Sequence, residues 1–276
     1  MFTQLGRTIV SVALVLFTVG LSTPGIAQLK LYDNFRSKHI DPSKWVGEPA
    51  SLAGNSDKDR REVSVRLTGE EENRRLQILQ TNYSATTDNN GAGGNGFGLG
   101  FAQPSKVKAV SFTLAVDQMQ LVDCGVNQTF ATVGFFGDYF NPVGATNGQT
   151  GDIVASIGVT SFNMNPGTAF DVGASVSQCQ DPQCNGQTTL LSQDLGPVPA
   201  GSTNTLSAIW DRPNHQFVFR LNNNPPIALV YTVADSFPPG HADKSFFVFG
   251  LVPHCTATPR PFASVDSRFG NVYVNP

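Results

Sequence analysis

The chain of 276 residues has no glutamate beyond Glu72. Charged residues make up 14% of it, against roughly 25% in a typical globular protein. The formal net charge is −3, and no segment clusters lysine or arginine, which argues against a nucleic-acid partner. Because no glutamate follows Glu72, no later strand can carry a hydrolytic site built from paired glutamates.

Long apolar runs are also scarce, and the one at the N-terminus has the features of a targeting segment. Arg7 supplies a positive charge, Ile9–Leu21 an apolar stretch, and Gly25 to Ala27 a small-residue cleavage site. The apolar stretch is shorter than the roughly 20 helical residues that span a bilayer. We therefore expect residues 1–27 to be removed as a signal peptide, with an uncleaved anchor as the alternative. The mature chain, 28–276, is predicted to be a single domain without a membrane span, secreted or periplasmic.

No window of the sequence keeps the apolar period of a substantial helix. Strand patterns dominate instead, as β-branched or aromatic runs bounded by glycine, asparagine, aspartate or proline. The predicted strands are Arg60–Thr68, Arg75–Gln80, Val107–Val116, Thr129–Phe136, Ile153–Phe162, Phe170–Val176, Thr205–Asp211, Gln216–Leu221, Ile227–Thr232, Ser245–Val252 and Asn271–Val274. Long loops are predicted at Thr86–Gly96, Asn141–Gly151 and Gln178–Gly201. The fold class that follows is all-β, a two-sheet antiparallel β-sandwich.

Four cysteines in an exported chain indicate disulfides. Cys179 and Cys184 lie close together around Pro182, which favours a local bridge. Cys124 and Cys255 would then form a long-range bridge. Three connectivities are open to four cysteines, and the spacing does not match a zinc site.

Two terminal segments resemble the first and last strands of the concanavalin A-like lectin/glucanase superfamily, which has a jelly-roll fold. The opening LYDNFRSKHIDPSKWVG and the closing SRFGNVYVNP carry the resemblance. The matching positions are Asp33, Asn34, Phe35, Asp41, Lys44, Trp45, Val272 and Val274. The resemblance implies that the first and last strands lie side by side, and that the partner is a carbohydrate.

The activity motifs of that superfamily do not match this chain. Its glucanases carry a Glu-x-Asp-x-x-Glu strand, and its alginate lyases a Gln-Ile-His strand; neither pattern is present. Aspartates at predicted strand ends, namely Asp138, Asp152 and Asp171, leave a non-standard acidic site open. No cofactor is predicted. Many members of that superfamily hold a structural calcium near the termini, partly through an aspartate just before the last strand, where this chain has Gly270 and Asn271. A structural calcium held by Asp33, Asp266 and backbone carbonyls is left open.

Twenty phenylalanines against two tryptophans and five tyrosines indicate a phenylalanine-rich core, to which we assign Phe135, Phe136 and Phe140. Tyr139 and Trp210 are the candidate platforms for a sugar ring, since an aromatic face with a polar edge suits such a ligand. The leading hypothesis is a secreted, non-catalytic, lectin-like protein that binds a glycan or a component of the cell envelope. The alternatives are a glycan-active enzyme with a non-standard acidic site, and a structural or adhesion protein that binds other proteins.

Overall fold

The computed structural model describes residues 29–47, 59–84, 92–123, 129–144, 147–162, 168–254 and 260–275. Strands are numbered in chain order. The first sheet contains β1 (Lys30–Asp33), β3 (Asp59–Thr68), β4 (Arg75–Ser84), β6 (Ala109–Val122), β11 (Thr203–Asp211), β12 (Gln216–Leu221), β13 (Ile227–Val230) and β15 (Phe262–Val274). The second sheet contains β2 (Trp45–Val46), β5 (Ala92–Phe101), β7 (Phe130–Phe140), β8 (Ile153–Phe162), β9 (Ala169–Cys179), β10 (Gln187–Pro199) and β14 (Lys244–Pro253). The helices described are single 3-10 turns at Glu71–Asn73, Pro104–Lys106 and Arg212–Asn214.

The two sheets have eight and seven strands, which confirms the predicted antiparallel β-sandwich. The first has the order β13-β12-β11-β6-β15-β4-β3, and the second β10-β9-β8-β7-β14-β5-β2. β1 pairs with the end of β15, with Lys30 opposite Val274 and Asp33 opposite Val272. The first and last strands are therefore neighbours, as the resemblance to the concanavalin A-like superfamily implied.

Phenylalanine rings fill the space between the sheets, because each strand turns alternate side chains inward. Phe246 of β14 is fully buried at the centre of this layer. Its ring lies 4.7 Å from that of Phe269, 4.9 Å from Phe112, 5.5 Å from Trp45 and 5.7 Å from Phe101, between centroids. The prediction of a phenylalanine-rich core is confirmed.

The opening motif joins the first strand to this core through one buried carboxylate. Asp33 accepts a hydrogen bond from the Trp45 indole Nε1 at 2.7 Å and another from the Phe35 backbone N–H at 2.8 Å. Phe35 has a positive φ of 55° and stacks on Trp45 at 5.3 Å. The spacing between Asp33 and Trp45 is thus explained by structure: the carboxylate fixes both the turn and the indole that packs in the core.

Two predicted loops contain strands, and several predicted strands are longer than expected, β15 most of all. β5 lies partly within Thr86–Gly96, where its many glycines hid a strand pattern. β10 lies within Gln178–Gly201, because it is an edge strand with mostly exposed residues and no clean alternation. β15 begins at Phe262 rather than Asn271. The first part of this strand was not predicted, because Ser264, Asp266 and Arg268 lie on its solvent side and interrupt the apolar pattern.

The local disulfide between Cys179 and Cys184 is present, with a Cα–Cα distance of 4.7 Å. The described residues do not include Cys124, Cys255 or residues 1–27. The long-range disulfide and the signal peptide therefore stay predictions. Within the described part of the chain, no helix is long and apolar enough to cross a membrane.

Truncation of the central ring should test the importance of the core. Phe246→Ala is expected to lower the free energy of unfolding by about 3–5 kcal/mol, because the cavity left among four aromatic rings cannot close fully. Urea denaturation measures this, with Phe237→Ala as the control, since that side chain is 49% exposed. Equal losses in the two variants would contradict the central role of Phe246.

Candidate ligand-binding groove

A groove runs along the outer face of the second sheet, and its floor has a stretch without side chains. In the register of that face, Phe247 of β14 lies opposite Gly134 of β7, Gly134 opposite Gly158 of β8, and Gly158 opposite Gly173 of β9. Gly173 lies opposite Asp194 of β10. We call Gly134, Gly158 and Gly173 the glycine row. Because these residues have no side chain, a ligand can approach the backbone closely between Phe247 and Asp194.

Side chains with hydroxyl groups border the glycine row on both sides. On one side the Thr160 hydroxyl donates to the Thr132 hydroxyl at 3.0 Å. On the other side Ser156 and Ser175 share a 2.9 Å hydrogen bond, and Ser192 lies opposite Ser175. We call these two sets the hydroxyl rows. On β8, which contributes to both rows, Thr160 and Ser156 are four residues apart, which corresponds to about 13 Å at the usual rise of a strand.

Two of the glycines are required by the close approach of neighbouring backbones. A Cβ atom on Gly134 would lie 2.1 Å from the backbone oxygen of Ile157, and one on Gly158 would lie 2.8 Å from that of Val133. Both distances are shorter than real contacts of a Cβ atom. Any side chain at either position would therefore displace the strands that form the floor.

The groove consists of two depressions, of about 570 and 530 Å³, that share Thr132, Ser156 and Phe247. The first ends at the exposed carboxylates of Asp171 and Asp194. The second is walled by half-buried apolar side chains, which are Phe130, Phe136, Phe249 and Leu251. Phe136 was assigned to the core from the sequence; that assignment is wrong, because alternation along β7 places the ring on the groove face beside Ser156.

The short disulfide loop forms part of the wall of the second depression, where Gln183 and Asn185 line it. Asp181 organises this loop by accepting hydrogen bonds from the backbone N–H groups of Gln183, Asn185 and Gly186. These bonds, with that from Gly186 the largest contribution, lower the pKa of the Asp181 carboxyl. The loop therefore presents its amide side chains from a fixed backbone.

The lining of the groove carries negative but no positive charge. Among the described residues that line either depression, Asp171 and Asp194 are the acidic ones, and there is no lysine or arginine. A ligand in the first depression thus meets two carboxylates, hydroxyl groups and bare backbone.

A cluster of buried charged groups lies beside the groove and reaches it through Gln149. Asp138, at the end of β7, is fully buried; its Oδ2 accepts hydrogen bonds from the Gln149 amide at 2.8 Å and from the Asp243 backbone N–H at 3.2 Å. Gln149 lines the second depression. Lys244, which is 3% exposed, donates from Nζ to the Asp138 carbonyl at 2.5 Å, and this Nζ lies 4.4 Å from the centroid of the Tyr139 ring. We call Asp138, Gln149, Asp243 and Lys244 the buried acid cluster.

Burial dominates the titration of this cluster. It raises the pKa of Asp138 well above its ordinary value, and the negative charges of Asp243 and Asp152 raise it further, against the opposing effects of Gln149 and Lys244. Burial also lowers the pKa of Lys244 to about 8, although Asp138 and Asp243 oppose that change. Both groups are thus held in surroundings that favour their neutral forms.

Asp152, at the start of β8, anchors the adjoining loops. It accepts hydrogen bonds from the Asn141 amide at 2.8 Å and from the backbone N–H groups of Gly240 at 2.8 Å and His241 at 3.2 Å. Burial raises its pKa in spite of these bonds. The sequence named Asp138, Asp152 and Asp171 as candidates for an acidic site. The structure brings the first two near each other in the interior, whereas Asp171 lies alone of the three on the groove.

The two candidate platforms, Tyr139 and Trp210, contact each other at 5.7 Å, but neither lines the groove. Tyr139 is 4% exposed and packs against Phe217. Trp210 is half-buried, stacks on Phe140 and donates from Nε1 to the Tyr231 hydroxyl. A binding role for these rings stays a prediction, and the aromatic rings that line the groove include Phe247 and Phe249, which are half-buried.

The implied calcium does not fit the pair Asp33 and Asp266. Asp33 pairs with Val272, six positions along β15 from Asp266, a separation of roughly 20 Å. Both oxygens of Asp33 already accept hydrogen bonds, and Asp266 accepts one from the Gln77 amide. Among the described residues no group of three or more acidic, histidine or cysteine side chains could hold a metal ion.

Sequence reasoning missed the groove, although part of its signal was present. The segments SIGVT in β8 and DVGAS in β9 alternate small polar or glycine residues with apolar ones, which is typical of strands with a small-residue outer face. The alignment of three glycines in one row depends on the strand register, which no single segment determines.

Comparisons with known proteins find likeness among solved structures. No family model matches the chain, and no curated protein matches it. Solved structures similar to it include an alginate lyase from Klebsiella pneumoniae (10% identity, TM-score 0.46, 88% of this chain and 99% of that one). A glycoside hydrolase family 16 endo-glucanase from Bacteroides ovatus is also similar (10% identity, TM-score 0.43, 87% and 98%). So is a lectin from Bauhinia forficata (12% identity, TM-score 0.31, 84% and 99%). These are concanavalin A-like jelly-roll proteins, and the likeness concerns the fold alone.

The raised pKa of Asp138 predicts a specific dependence of stability on pH. Between the ordinary pKa of an aspartate and the raised value in the folded state, the folded chain binds more protons than the unfolded chain. The stabilising contribution of this carboxyl is therefore complete at low pH and is lost as the pH rises through the raised value. As the pH rises from about 4 to about 7, we expect the free energy of unfolding of the wild type to fall relative to that of Asp138→Asn.

Urea denaturation at each pH measures the difference, and Asp171→Asn, which changes an exposed carboxylate, is the control. A difference between Asp138→Asn and wild type that stays constant across this range would show that Asp138 titrates alike in the folded and unfolded states.

Proposed function

We propose that the chain binds a neutral, hydroxyl-rich glycan along the groove and does not cleave it. The observation that carries the proposal is the glycine row between the two hydroxyl rows. A flat sugar ring can lie against the exposed backbone of Gly134, Gly158 and Gly173, with threonine and serine hydroxyls on both sides as donors and acceptors. The Phe247 ring at the head of the row offers an apolar face for the C–H groups of a sugar.

The charge of the groove supports a restriction to neutral or amino sugars. Asp171 and Asp194 would repel the carboxylates of a polyuronate or the sulfates of a sulfated glycan. No cation lines the groove among the described residues to offset that repulsion. Neutral glycans make hydrogen bonds to hydroxyls and amides without such a penalty.

The similar solved structures include both a lectin and glycan-active enzymes, so the choice between binding and cleavage depends on this chain's own side chains. On the groove face of the central strands β7, β8 and β14, the described lining residues are aromatic, aliphatic, hydroxyl-bearing or glycine. Retaining glycosidases need two carboxyl groups about 5–5.5 Å apart at the scissile bond. The central strands offer none there, which favours binding without cleavage.

Phe247→Ala should weaken glycan binding by about 2–10-fold, which corresponds to the 0.5–1.5 kcal/mol typical of an aromatic contact. The ligand is first selected from an array of neutral, amino and acidic glycans with residues 28–276, with and without EDTA. Isothermal titration calorimetry then compares the variant with wild type and with Phe237→Ala, whose exposed ring does not line the groove.

Equal weakening by Phe237→Ala, or binding of a polyuronate that Phe247→Ala weakens, would contradict the proposed groove. An array without any specific hit would overturn glycan binding and favour a protein partner. Loss of binding with EDTA would favour the calcium that the superfamily resemblance implies.

One observation favours a second candidate, a glycan-active enzyme. Asp194 lies opposite Gly173, and Asp171 is two residues before Gly173, so the two aspartates are diagonal neighbours on β9 and β10. Diagonal Cα atoms are about 7–8 Å apart, near the carboxyl separation of about 6.5–9.5 Å in inverting glycosidases. Both side chains are exposed, however, whereas a general acid of this kind is held in an apolar pocket.

Catalysis by this pair would make Asp171→Asn and Asp194→Asn each lose about 100-fold or more of hydrolysis. The binding proposal expects no turnover in the wild type to begin with. Reducing-end release from the array's ligands measures it, with Asp211→Asn as the matched control, since Asp211 lies on the first sheet. Hydrolysis that depends on Asp171 and Asp194 but not on Asp211 would replace the first proposal with the second.

A further inference from the structure

Three arginines on adjacent strands form a cleft on the outer face of the first sheet, on the side of the sandwich opposite to the groove. Arg66 of β3, Arg75 of β4 and Arg268 of β15 line a depression of about 330 Å³, together with Asn73, Gln77 and Asp117. We call it the arginine cleft. Eighteen lysines and arginines occur in the whole chain, so three around one depression is a concentration of positive charge in a protein of net charge −3.

The strand register brings the three guanidinium groups together. Arg66 lies opposite Gln77, and Gln77 lies opposite Arg268, so these residues form one row across three strands. Arg75 is two residues before Gln77 on the same face of β4. Its side chain lies over Gly270, where a Cβ atom would clash with it. The cleft therefore depends on this glycine as well as on the arginines.

The hydrogen bonds of the cleft leave much of its positive charge uncompensated. Arg268 forms an ion pair with Asp117. Arg66 donates from Nε to the neutral Gln77 side chain at 2.8 Å, and Arg75 donates from Nη1 to the Arg74 carbonyl at 2.8 Å. Of the three cations, one has a carboxylate partner among the described residues.

Other acidic side chains are near without neutralising the cleft. Asp266 accepts a hydrogen bond from the far side of Gln77. Glu70, Glu71 and Glu72 are exposed on the adjoining turn. None of the four lines the cleft, and none forms an ion pair with the three arginines in the described part of the chain.

We propose that the arginine cleft binds an oxyanion group, a carboxylate, sulfate or phosphate, independently of the groove. Planar guanidinium groups match such oxyanions with paired N–H donors, and Arg66 and Arg75 retain N–H groups beyond those in the bonds above. Asn73 and Gln77 add neutral amides to the rim. This ligand class is anionic, whereas the one proposed for the groove is neutral, so one protein can hold a neutral glycan on one sheet and an acidic group on the other.

The test measures binding of inorganic phosphate, sulfate and glucuronate to the full mature chain by calorimetry at low ionic strength. Methyl glucoside is the neutral control. We expect saturable binding of at least one anion that weakens with added salt, since exposed charges are screened. The three anions distinguish the source of the oxyanion: preference for glucuronate indicates an acidic sugar, and preference for phosphate a phosphorylated group.

Three variants test the proposal: one is expected to weaken anion binding, one to strengthen it, and one to leave it unchanged. Arg66→Gln should weaken anion binding by about fivefold, because it removes a charged fork. Asp117→Asn should strengthen binding by a similar factor, because it removes the competing carboxylate next to Arg268. Arg220→Gln should leave binding unchanged, since Arg220 also lies on the first sheet and donates to a backbone carbonyl, that of Asn224, but does not line the cleft.

Failure of all three anions to bind at low ionic strength would overturn the proposal. So would equal affinities in Arg66→Gln, Asp117→Asn and wild type. Because Asp117→Asn is expected to improve binding, its result cannot be mistaken for a loss of folding. The groove is tested with neutral glycans, so failure of one proposal is distinguishable from failure of the other.

Discussion

Each strand can bury only one of its two faces, and this constraint determines what the outer faces of the sandwich can do. The inner faces carry the phenylalanines around Phe246 that hold the sheets together. The residues that alternate with these phenylalanines along each strand face solvent. On the second sheet they are glycines and small hydroxyl residues that leave a groove, and on the first they include arginines on three neighbouring strands. The two candidate sites are therefore consequences of the same alternation, expressed on opposite sides of one core.

The sequence predicts the strands best where alternation is clear and the strand is flanked by partners on both sides. β8 and β12 have the bounds expected from their apolar pattern, Ile153–Phe162 and Gln216–Leu221. β5 was missed because glycine carries no apolar signal, and β10 because an edge strand has little to bury. Both lie at the groove or support it. The strands that carry the glycine row, β7, β8 and β9, were predicted, whereas two strands that complete the lining of the groove were not.

The opening motif shows what the sequence can identify and what only the structure reveals. Asp33 and Trp45 could be identified from the sequence as part of a resemblance, whereas the hydrogen bond between them is visible only in the structure. Asp138 and Asp152 were identified as acidic candidates from their positions at strand ends. Their burial could not be foreseen, since it depends in part on residues 240–243, which are distant in the chain and fold over them. The sequence identifies which residues are unusual, whereas tertiary packing determines what they do.

The edge strand β10 has a consequence for association between copies of the protein. A regular edge of thirteen residues would expose a row of N–H and C=O groups that could pair with another chain. Two irregularities in its pairing with β9, at Thr189/Leu191 and Asp194/Gly196, interrupt that row, and Pro197 and Pro199 cannot donate to it. The rim of the groove is thereby a poor template for an added strand. The groove next to this edge is therefore less prone to be covered by a second copy of the chain that pairs edge to edge.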